Sequence, residues 1–388
     1  MGSVARHGSG PAAVVRAYGS QVHPVFMLPP MAAAVFGAVV GGGPTANVSG
    51  VLAHVGTVFA AVYTAHVKDG YVDFHYRGED DDHPLTLYGC RVGLVSSTLL
   101  FACCLAALFV ASGAMAAALA APTWAIGYLH APQFDTNPVT ATLGYPAGVG
   151  LAVLGGTAAV SGTVGPQSLL LAGVLVVVLT GVKIVDDATD YEYDRGIDKR
   201  TVAVVLGTAR ARRLAEWLMG VGCFVLVVGA VVGRLPAATA LAPVPFGVVA
   251  LWSRGASPRV ATMLLVRGAY LLFAVLVVAV AFRPLSSVPL PDVGVLGPYT
   301  YLATEVAFGS LALVLLVRAD ALGRALRTTA VLYPLAYVWD WYTLEVGVFS
   351  IPLRTGVELL GIPLEEHLFM LVVPCLVVGI HETLHDGD

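Results

Sequence analysis

An acidic segment after one long apolar run holds the residue types that bind divalent cations. Six acidic residues lie between Asp186 and Asp198. Asp187, Asp190 and Asp194 are spaced i, i+3, i+7, so on a helix they share one face. Carboxylates at the end of a membrane-length helix are costly unless a cation binds there, and hard carboxylate oxygens suit Mg²⁺. The pattern therefore predicts Mg²⁺ and a phosphorylated substrate.

A second acidic segment lies nearer the N-terminus, between Lys68 and Asp82. If the two segments meet at one membrane face, each can hold a Mg²⁺ on one side of a diphosphate, and nearby cations can balance the remaining phosphate charge. The cations with this predicted role are Lys68, Arg77, Lys183, Lys199 and Arg200. The alternatives are a solvated charge run for Glu79–Asp82 and an amphipathic helix end for the later segment.

The composition is that of an integral membrane protein. The 388 residues are 57% hydrophobic and 12% charged, with a mean hydropathy of +0.81, whereas soluble domains average about 25% charged residues. Apolar runs that can cross a core of roughly 30 Å predict an all-α fold, because helices satisfy their own backbone hydrogen bonds. The hydropathy pattern predicts about twelve spans: Val25–Val40, Val51–Val67, Arg91–Ala111, Met115–Ile126, Thr140–Gly162, Gln167–Val185, Arg212–Val232, Ala237–Trp252, Val260–Phe282, Tyr301–Val317, Ala330–Val346 and Glu366–Ile380.

The distribution of Lys and Arg among the loops predicts the orientation of the protein in the membrane. Most loop Lys and Arg residues lie on the side of the N-terminus, and the opposite loops carry only Arg234, Arg283 and Arg354. The positive-inside rule then places both aspartate-rich loops in the cytoplasm of a multi-pass cell-membrane protein. The apolar runs indicate a lipid bilayer as the partner of the chain. The net charge of −4 and the lack of a basic block indicate that nucleic acid is not a partner. The five cysteines lack metal-ligand spacing and are interpreted as packing residues.

The two acidic segments resemble the aspartate motifs of UbiA-type membrane prenyltransferases, which follow the second and sixth of about nine helices. The later segment matches the D-x-x-D-x-x-x-D pattern with its trailing basic pair Lys199-Arg200. The earlier one has Lys68 in place of the usual Asn, and residues 128–135 lack the Arg or Lys that many members carry after a proline. The resemblance implies that an allylic cation forms as pyrophosphate departs and that an acceptor carbon attacks it. It also implies five Mg²⁺ ligands: Asp69, Asp73, Asp187, Asp190 and Asp194.

A second constellation lies near the C-terminus, where Glu365-Glu366 open an apolar helix. Adjacent carboxylates are rare there because like charges repel in a low dielectric, and a carboxyl that stays protonated is a usable general acid. The alternative is a helix start stabilised by the dipole. Pro363-Leu364-Glu365-Glu366, within residues 298–382, resembles one repeat of the heterodimeric or fused membrane lycopene cyclases. Those enzymes have three helices per repeat and protonate a terminal double bond of a linear carotenoid, which then cyclises.

The cyclase resemblance implies Glu365, Glu366 and Asp340 as acid and base residues. Because such cyclases combine two repeats and this chain shows one, it also implies a homodimer or a separate second cyclase half. A proline-rich stretch separates the two constellations, so we expect a nine-helix prenyltransferase domain (15–283), a linker (284–298) and a three-helix cyclase domain (299–383).

Together the resemblances imply a bifunctional carotenoid enzyme that takes a prenyl diphosphate and a hydrophobic polyene acceptor such as lycopene. One alternative is a prenyltransferase acting on a quinone or ether-lipid acceptor, with a C-terminal module that only docks to another enzyme. Another is a membrane transporter, which is disfavoured because the strongest acids lie in same-side loops rather than at the bilayer midplane.

Overall fold

The structure is a computed structural model that describes residues 3–78, 81–286 and 293–385. These residues are almost entirely helical. Their α-helices, in chain order, are α1 (Pro11–Gly19), α2 (Pro24–Val40), α3 (Val48–Val72), α4 (Leu87–Ser112), α5 (Ala114–Leu129), α6 (Pro138–Ser161), α7 (Pro166–Thr189), α8 (Tyr191–Gly196), α9 (Val202–Leu206), α10 (Thr208–Val231), α11 (Pro243–Ser253), α12 (Pro258–Phe282), α13 (Thr300–Arg318), α14 (Leu322–Glu345) and α15 (Leu364–His385). Two short antiparallel strands, β1 (Glu358–Leu359) and β2 (Ile362–Pro363), form a hairpin before α15.

The chain divides into two compact units, Met1–Val288 and Pro289–Asp388. Among the described residues, the first unit contains nine longer helices, α2 to α7 and α10 to α12, and the second contains α13 to α15. This arrangement confirms the predicted all-α class with nine helices followed by three. The predicted linker 284–298 lies partly outside the described residues, and its end belongs to a 3₁₀ helix at Val293–Tyr299.

Fewer helices qualify as membrane spans than the hydropathy pattern predicts. In the described part of the chain, eight are long and apolar enough to cross a bilayer, and the pair α1 and α2, bent by 68°, adds a possible ninth. The predicted count of about twelve is therefore too high by this criterion. Helix α5 and the segment Ala237–Ser253 that contains α11 are shorter apolar helices. Helix α14 carries Arg324, Arg327 and Asp340, and it is not among the candidates.

Small residues let the helices of the first unit approach closely. A Cβ added at Gly37 of α2 would collide with the backbone of α6 at Val153, and one added at Gly156 of α6 would collide with the backbone of α2 at Ala34. The Thr157 hydroxyl also donates to the Gly37 carbonyl oxygen at 3.0 Å. Such contacts hold membrane helices together, because lipid supplies no hydrophobic force between them.

Two side chains, one at the start of α3 and one within it, attach this helix to α6. Asn47 caps α3 by accepting from Gly50 N at 3.1 Å, and its amide donates to the Ala159 carbonyl of α6 at 2.8 Å. His54, fully buried in α3, bonds through Nε2 to the Ala152 carbonyl of α6 at 2.9 Å. These bonds set the position of α3, whose far end carries the first acidic segment.

We expect Gly156→Ala to destabilise the first unit by about 1–3 kcal/mol, because the added methyl group overpacks the contact with α2. Gly148→Ala is the matched control on the same helix, since a Cβ there meets nothing within 4 Å. It should be neutral or stabilising by up to about 1 kcal/mol, as for an ordinary helical glycine. Thermal unfolding of the purified protein in detergent measures both, and equal melting temperatures for the two variants would contradict the packing argument.

Candidate functional site

The first acidic segment begins in the last turn of α3. Lys68 is buried, and its Nζ lies 4.6 Å from the centroid of the Tyr128 ring at the end of α5. The Asp69 Oδ2 atom lies 3.9 Å from Nε2 of His130. Both charged side chains of this turn therefore face the end of α5, where a cation–π contact stabilises the Lys68 ammonium.

A π-helical turn, Asp73–Arg77, continues α3 and directs Arg77 towards a second acid. Arg77 lies 3.2 Å from Asp73 through Nη1 and Oδ1, and 2.8 Å from Asp135 through Nη2 and Oδ2. Asp135 is buried in the short 3₁₀ turn between α5 and α6, and its carbonyl accepts from Arg200 N at 2.7 Å. The turn at Asp135 therefore joins the segment after α3 to the segment after α7.

The contact between Arg77 and Asp135 bears on two points of the sequence interpretation. Arg77 brings a guanidinium group to the α5–α6 connection, the region in which the sequence lacks the Arg or Lys found in many relatives. Asp135 was missed because a lone acid in a connecting loop has no periodic or spacing signal.

The second acidic segment does not continue one helix, as its spacing predicts. Helix α7 ends at Thr189, Asp190 lies between the helices with φ −100° and ψ 17°, and α8 begins at Tyr191. The expectation that three aspartates share one helical face is therefore wrong for Asp190, which is exposed, whereas Asp187 and Asp194 are each 2% exposed. Thr and Asp are poor helix formers that favour helix ends, and this accounts for the break.

Asp187 is held by partners from two helices. Its Oδ1 lies 2.6 Å from Nζ of Lys183, which also contacts Asp186 Oδ2 at 2.9 Å. The Oδ2 atom of Asp187 accepts a hydrogen bond from the Thr142 hydroxyl of α6 at 3.3 Å. The site therefore balances the Asp187 charge internally, and Lys183 contacts carboxylates rather than extending to an open position.

Asp194 differs from Asp187 because one of its oxygens has no protein partner. Oδ1 lies 3.5 Å from Nζ of Lys199, whereas Oδ2 is buried and has no hydrogen-bond partner among the described residues. Burial raises the pKa of the Asp194 carboxyl, and the Lys199 ammonium opposes this effect. A buried acceptor without a donor is costly, so this oxygen is suited to a cation.

The two acidic segments share their cations. Lys199 pairs with Asp194, and the charges of Lys199 and Arg77 also act on Asp69. Asp187 in turn acts electrostatically on Asp194. The structure therefore brings most of the predicted ligands and cations into one network, while Asp190 and the Arg200 side chain lie exposed outside its buried part.

This donor set fits Mg²⁺. The acceptors are carboxylate oxygens, one of which is the buried Oδ2 of Asp194. Mg²⁺ prefers such oxygens and is usually bound by one or two carboxylates together with substrate phosphates. At Asp187 a cation would compete with Lys183 for Oδ1.

The second unit contains its own carboxyl cluster, with members from all three helices. Asp340 of α14 and Glu305 of α13 both lie close enough to Glu366 of α15 to act on it electrostatically. Neighbouring carboxyl groups repel each other when both are ionised. The three helices therefore bring together a set of acids that is suited to holding a proton.

Glu365, next in sequence to Glu366, lies in a different environment. Its Oε1 accepts from the backbone N of Thr355 at 2.6 Å and from the Thr355 hydroxyl at 2.7 Å. The side chain is 2% exposed, and Oε2 has no hydrogen-bond partner among the described residues. Of the two adjacent acids, Glu366 lies near Asp340 and Glu305, and Glu365 is fixed by the loop before the hairpin.

His367 is a residue of this site that the sequence analysis missed. Its Nε2 donates to the Leu359 carbonyl of β1 at 2.7 Å, and its Nδ1 lies 2.6 Å from the Tyr333 hydroxyl of α14. The Tyr333 and Tyr337 rings stack on the imidazole, each with a centroid separation of 6.1 Å. His367 therefore fixes the start of α15 against α14, and with it the position of Glu366. Glu305 was missed as well. Like Asp135, it is a single acid without a spacing pattern, although it lies in an apolar helix rather than in a connection.

We expect Asp135→Leu to destabilise the first unit by roughly 3 kcal/mol, the lower end of the range for breaking a buried ion pair, because Arg77 is partly exposed. The double variant Arg77→Met, Asp135→Leu should recover most of the loss, since neither charge is then left without that partner. Thermal unfolding in lipid nanodiscs measures both.

The control for this experiment is Glu216→Ala, which breaks a more exposed pair with Arg254 at 2.9 Å. That change should stay within about 1 kcal/mol. A loss of stability in Asp135→Leu that is no larger than in the control would contradict the stabilising role of the Arg77–Asp135 pair.

Comparisons with known proteins agree with this geometry. The sequence model of the UbiA prenyltransferase family matches residues 27–259, and that of lycopene cyclase matches residues 298–384. No curated protein sequence matches the chain.

Solved structures show the same fold for the first unit. A structure described for digeranylgeranylglyceryl phosphate synthase aligns with a TM-score of 0.52 and 13% identity, over 70% of this chain and 97% of its own. A UbiA homologue from Aeropyrum pernix K1 aligns with a TM-score of 0.50 and 14% identity, over 66% and 98%. This chain therefore belongs to the UbiA prenyltransferase family and carries a lycopene cyclase domain after its prenyltransferase domain.

Proposed function

We propose that the first unit transfers a prenyl group from an allylic diphosphate to a polyene such as lycopene, and that the second unit cyclises the ends of the carotenoid. The observation that carries the proposal is that each unit gathers carboxyl groups in a different surrounding. The first unit sets ammonium groups beside Asp187 and Asp194, and the second groups Asp340 and Glu305 around Glu366, a set of acids suited to holding a proton. Cations suit a diphosphate, and a proton suits an alkene.

In the first unit, the proposed roles follow from the contacts. Asp187 and Asp194, with Asp69 and Asp73 opposite them, would hold Mg²⁺, which supplies electrophilic stabilisation to the departing pyrophosphate. Lys199 contacts Asp194 of one acidic segment and acts electrostatically on Asp69 of the other, so it is proposed to contact the diphosphate. Lys68 and Arg77 add positive charge from the α3 side, while the apolar helices exclude water from the allylic cation.

The exposed positions have a weaker part in this scheme. Asp190 and Arg200 remain proposed contacts at the edge of the site. Lys183 is proposed to bind diphosphate only after a cation has taken its place at Asp187.

In the second unit, we propose that Asp340 and Glu366 share a proton, which would go to a terminal carbon–carbon double bond of the polyene. The resulting carbocation closes onto a neighbouring double bond and then loses a proton to a carboxylate. Glu366 and Asp340 are the proposed acid pair, and Glu365, fixed by Thr355, is the proposed second acid/base residue. No change in oxidation state is needed. Because this chain has one cyclase domain, the proposed complete cyclase uses a second copy or a separate second half.

We expect Asp194→Asn to lower prenyl transfer about 100-fold, the usual cost of losing one electrostatic contact to the transition state. The purified protein would be assayed in detergent with lycopene and labelled dimethylallyl diphosphate, following pyrophosphate release and labelled carotenoid. Removal of Mg²⁺ by a chelator should abolish turnover, and Mg²⁺ should restore it.

Glu216→Gln is the control for this assay, because Glu216 of α10 pairs with Arg254, directly after α11, and not with a cation of the proposed site. Pyrophosphate release with a quinone or ether-lipid acceptor, but none with lycopene, would show that lycopene is not the acceptor. Turnover that survives both Asp194→Asn and the chelator would contradict the proposed site.

We expect Glu366→Gln to abolish ring formation while prenyl addition continues, because an amide cannot donate the shared proton. The measurement is the pigment profile, by mass and absorption, of a lycopene-accumulating host that expresses the protein with and without a second cyclase half. Glu358→Gln is the control, since that residue pairs with Arg354 in the same hairpin region and is 54% exposed. Lycopene that stays unchanged in both hosts would contradict the carotenoid proposal.

A further inference from the structure

A cluster of nitrogen and sulfur ligands lies beside the first acidic segment and plays no part in the proposed chemistry. His75, His83 and Cys90 each present one ligand atom, and these atoms all lie within 4.8 Å of one another. His83 and Cys90 are buried, and His75 is partly exposed. Among the described residues, this is the group of histidine, cysteine and acidic side chains whose arrangement suits a metal ion.

Three different parts of the chain bring these ligands together. His75 belongs to the π-helical turn after α3, His83 to the connection before α4, and Cys90 to the first turn of α4. The Nδ1 atom of His83 lies 4.0 Å from the Sγ atom of Cys90. The His83 Nε2 atom faces away from this pair, against the backbone of α3 at Gly70. Nδ1 is therefore the His83 atom that can bind a metal together with Cys90.

The cluster is held in place from outside. Backbone bonds from Arg6 N to Pro84 O at 2.9 Å and from Thr86 N to Val4 O at 3.0 Å attach the N-terminal segment to this connection. The Arg6 guanidinium lies 4.3 Å from the centroid of the Phe74 ring, which stacks on His83. These contacts hold the segments that carry the ligands next to one another.

The hydrogen bonds within the cluster are long. His75 Nε2 lies 3.2 Å from the Leu85 carbonyl oxygen, and Leu85 N donates to His83 Nδ1 at 3.3 Å. The usual separation is about 2.9 Å. A bound metal would therefore displace only weak contacts.

We propose that His75, His83 and Cys90 form a structural site for a zinc-class transition metal ion, separate from the proposed magnesium site. Zn²⁺ binds Cys sulfur at about 2.3 Å and His nitrogen at about 2.0 Å, so ligand atoms around a tetrahedral ion lie roughly 3.5 Å apart. Contraction by about 1 Å brings the cluster to that geometry. Imidazole and thiolate select such metals over Mg²⁺, which prefers carboxylate oxygens.

The site would fix the first acidic segment. The turn that contains His75 also contains Asp73 and Arg77, and Arg77 is bonded to Asp135. A metal that joins His75 to Cys90 therefore fastens this turn to the start of α4. Sequence spacing did not show the site because its single cysteine and two histidines form no standard metal-binding motif.

Cobalt substitution tests the proposal directly. The full-length protein, with any affinity tag removed, would be titrated with Co²⁺ in detergent. The wild type should bind one equivalent with thiolate-to-cobalt charge-transfer absorption, and excess Mg²⁺ should leave this absorption unchanged. Cys90→Ser should abolish it. Cys103→Ser, a change at an exposed cysteine of the same helix, should preserve it.

A second measurement guards against a folding defect in Cys90→Ser. His75→Gln changes a partly exposed residue, and it should weaken Zn²⁺ binding at least tenfold while leaving the melting temperature of the metal-free protein unchanged. Zn²⁺ should raise the melting temperature of the wild type and of Cys103→Ser more than that of His75→Gln. Wild-type protein without thiolate absorption, absorption that persists in Cys90→Ser, or equal Zn²⁺ affinity in His75→Gln would each overturn the proposal.

Discussion

A carboxylate buried at the end of a membrane helix is costly unless a cation or a proton lies beside it, and the structure depends on how this cost is met. The first unit uses cations: Lys183 contacts Asp187, and Lys199 contacts Asp194. The second unit groups Asp340 and Glu305 around Glu366, where a proton is the proposed counterion. The same physical constraint, met in these two ways, accounts for the proposed phosphate site and the proposed alkene site.

The helices position these groups through packing contacts and hydrogen bonds that take no part in the proposed reactions. Glycines at the α2–α6 contact allow close packing, and Asn47 and His54 bond α3 to α6. In the second unit, His367 bonds both α14 and the hairpin at the start of α15. The functional ends of the helices are therefore held by bonds between helices rather than by the loops alone.

Much of the fold was predictable because hydropathy and charge spacing are local properties of a sequence. Both family resemblances and the class of nine helices followed by three are confirmed. Asp187 and Asp194 were also found by spacing, and the structure buries both. The break at Asp190 was missed, because periodicity alone does not show where a helix ends. The domain boundaries and the roles of the individual site residues stay predictions.

Other residues were invisible for a different reason. Asp135 and Glu305 gain their significance only from partners distant in the chain, Arg77 and Glu366 respectively. A hydropathy scan likewise overestimated the number of spans, because it does not weigh the length of α5 or the polar residues of α14.

The contact between Lys183 and its two aspartates has a consequence for the order of assembly. One ammonium group offsets one of the two negative charges of Asp186 and Asp187 at the end of α7, so the helix end reaches its folded position with its own counterion. The end of α7 therefore has a counterion of its own before any divalent metal binds. In small domains that stay unfolded until a metal arrives, by contrast, the metal itself supplies that charge.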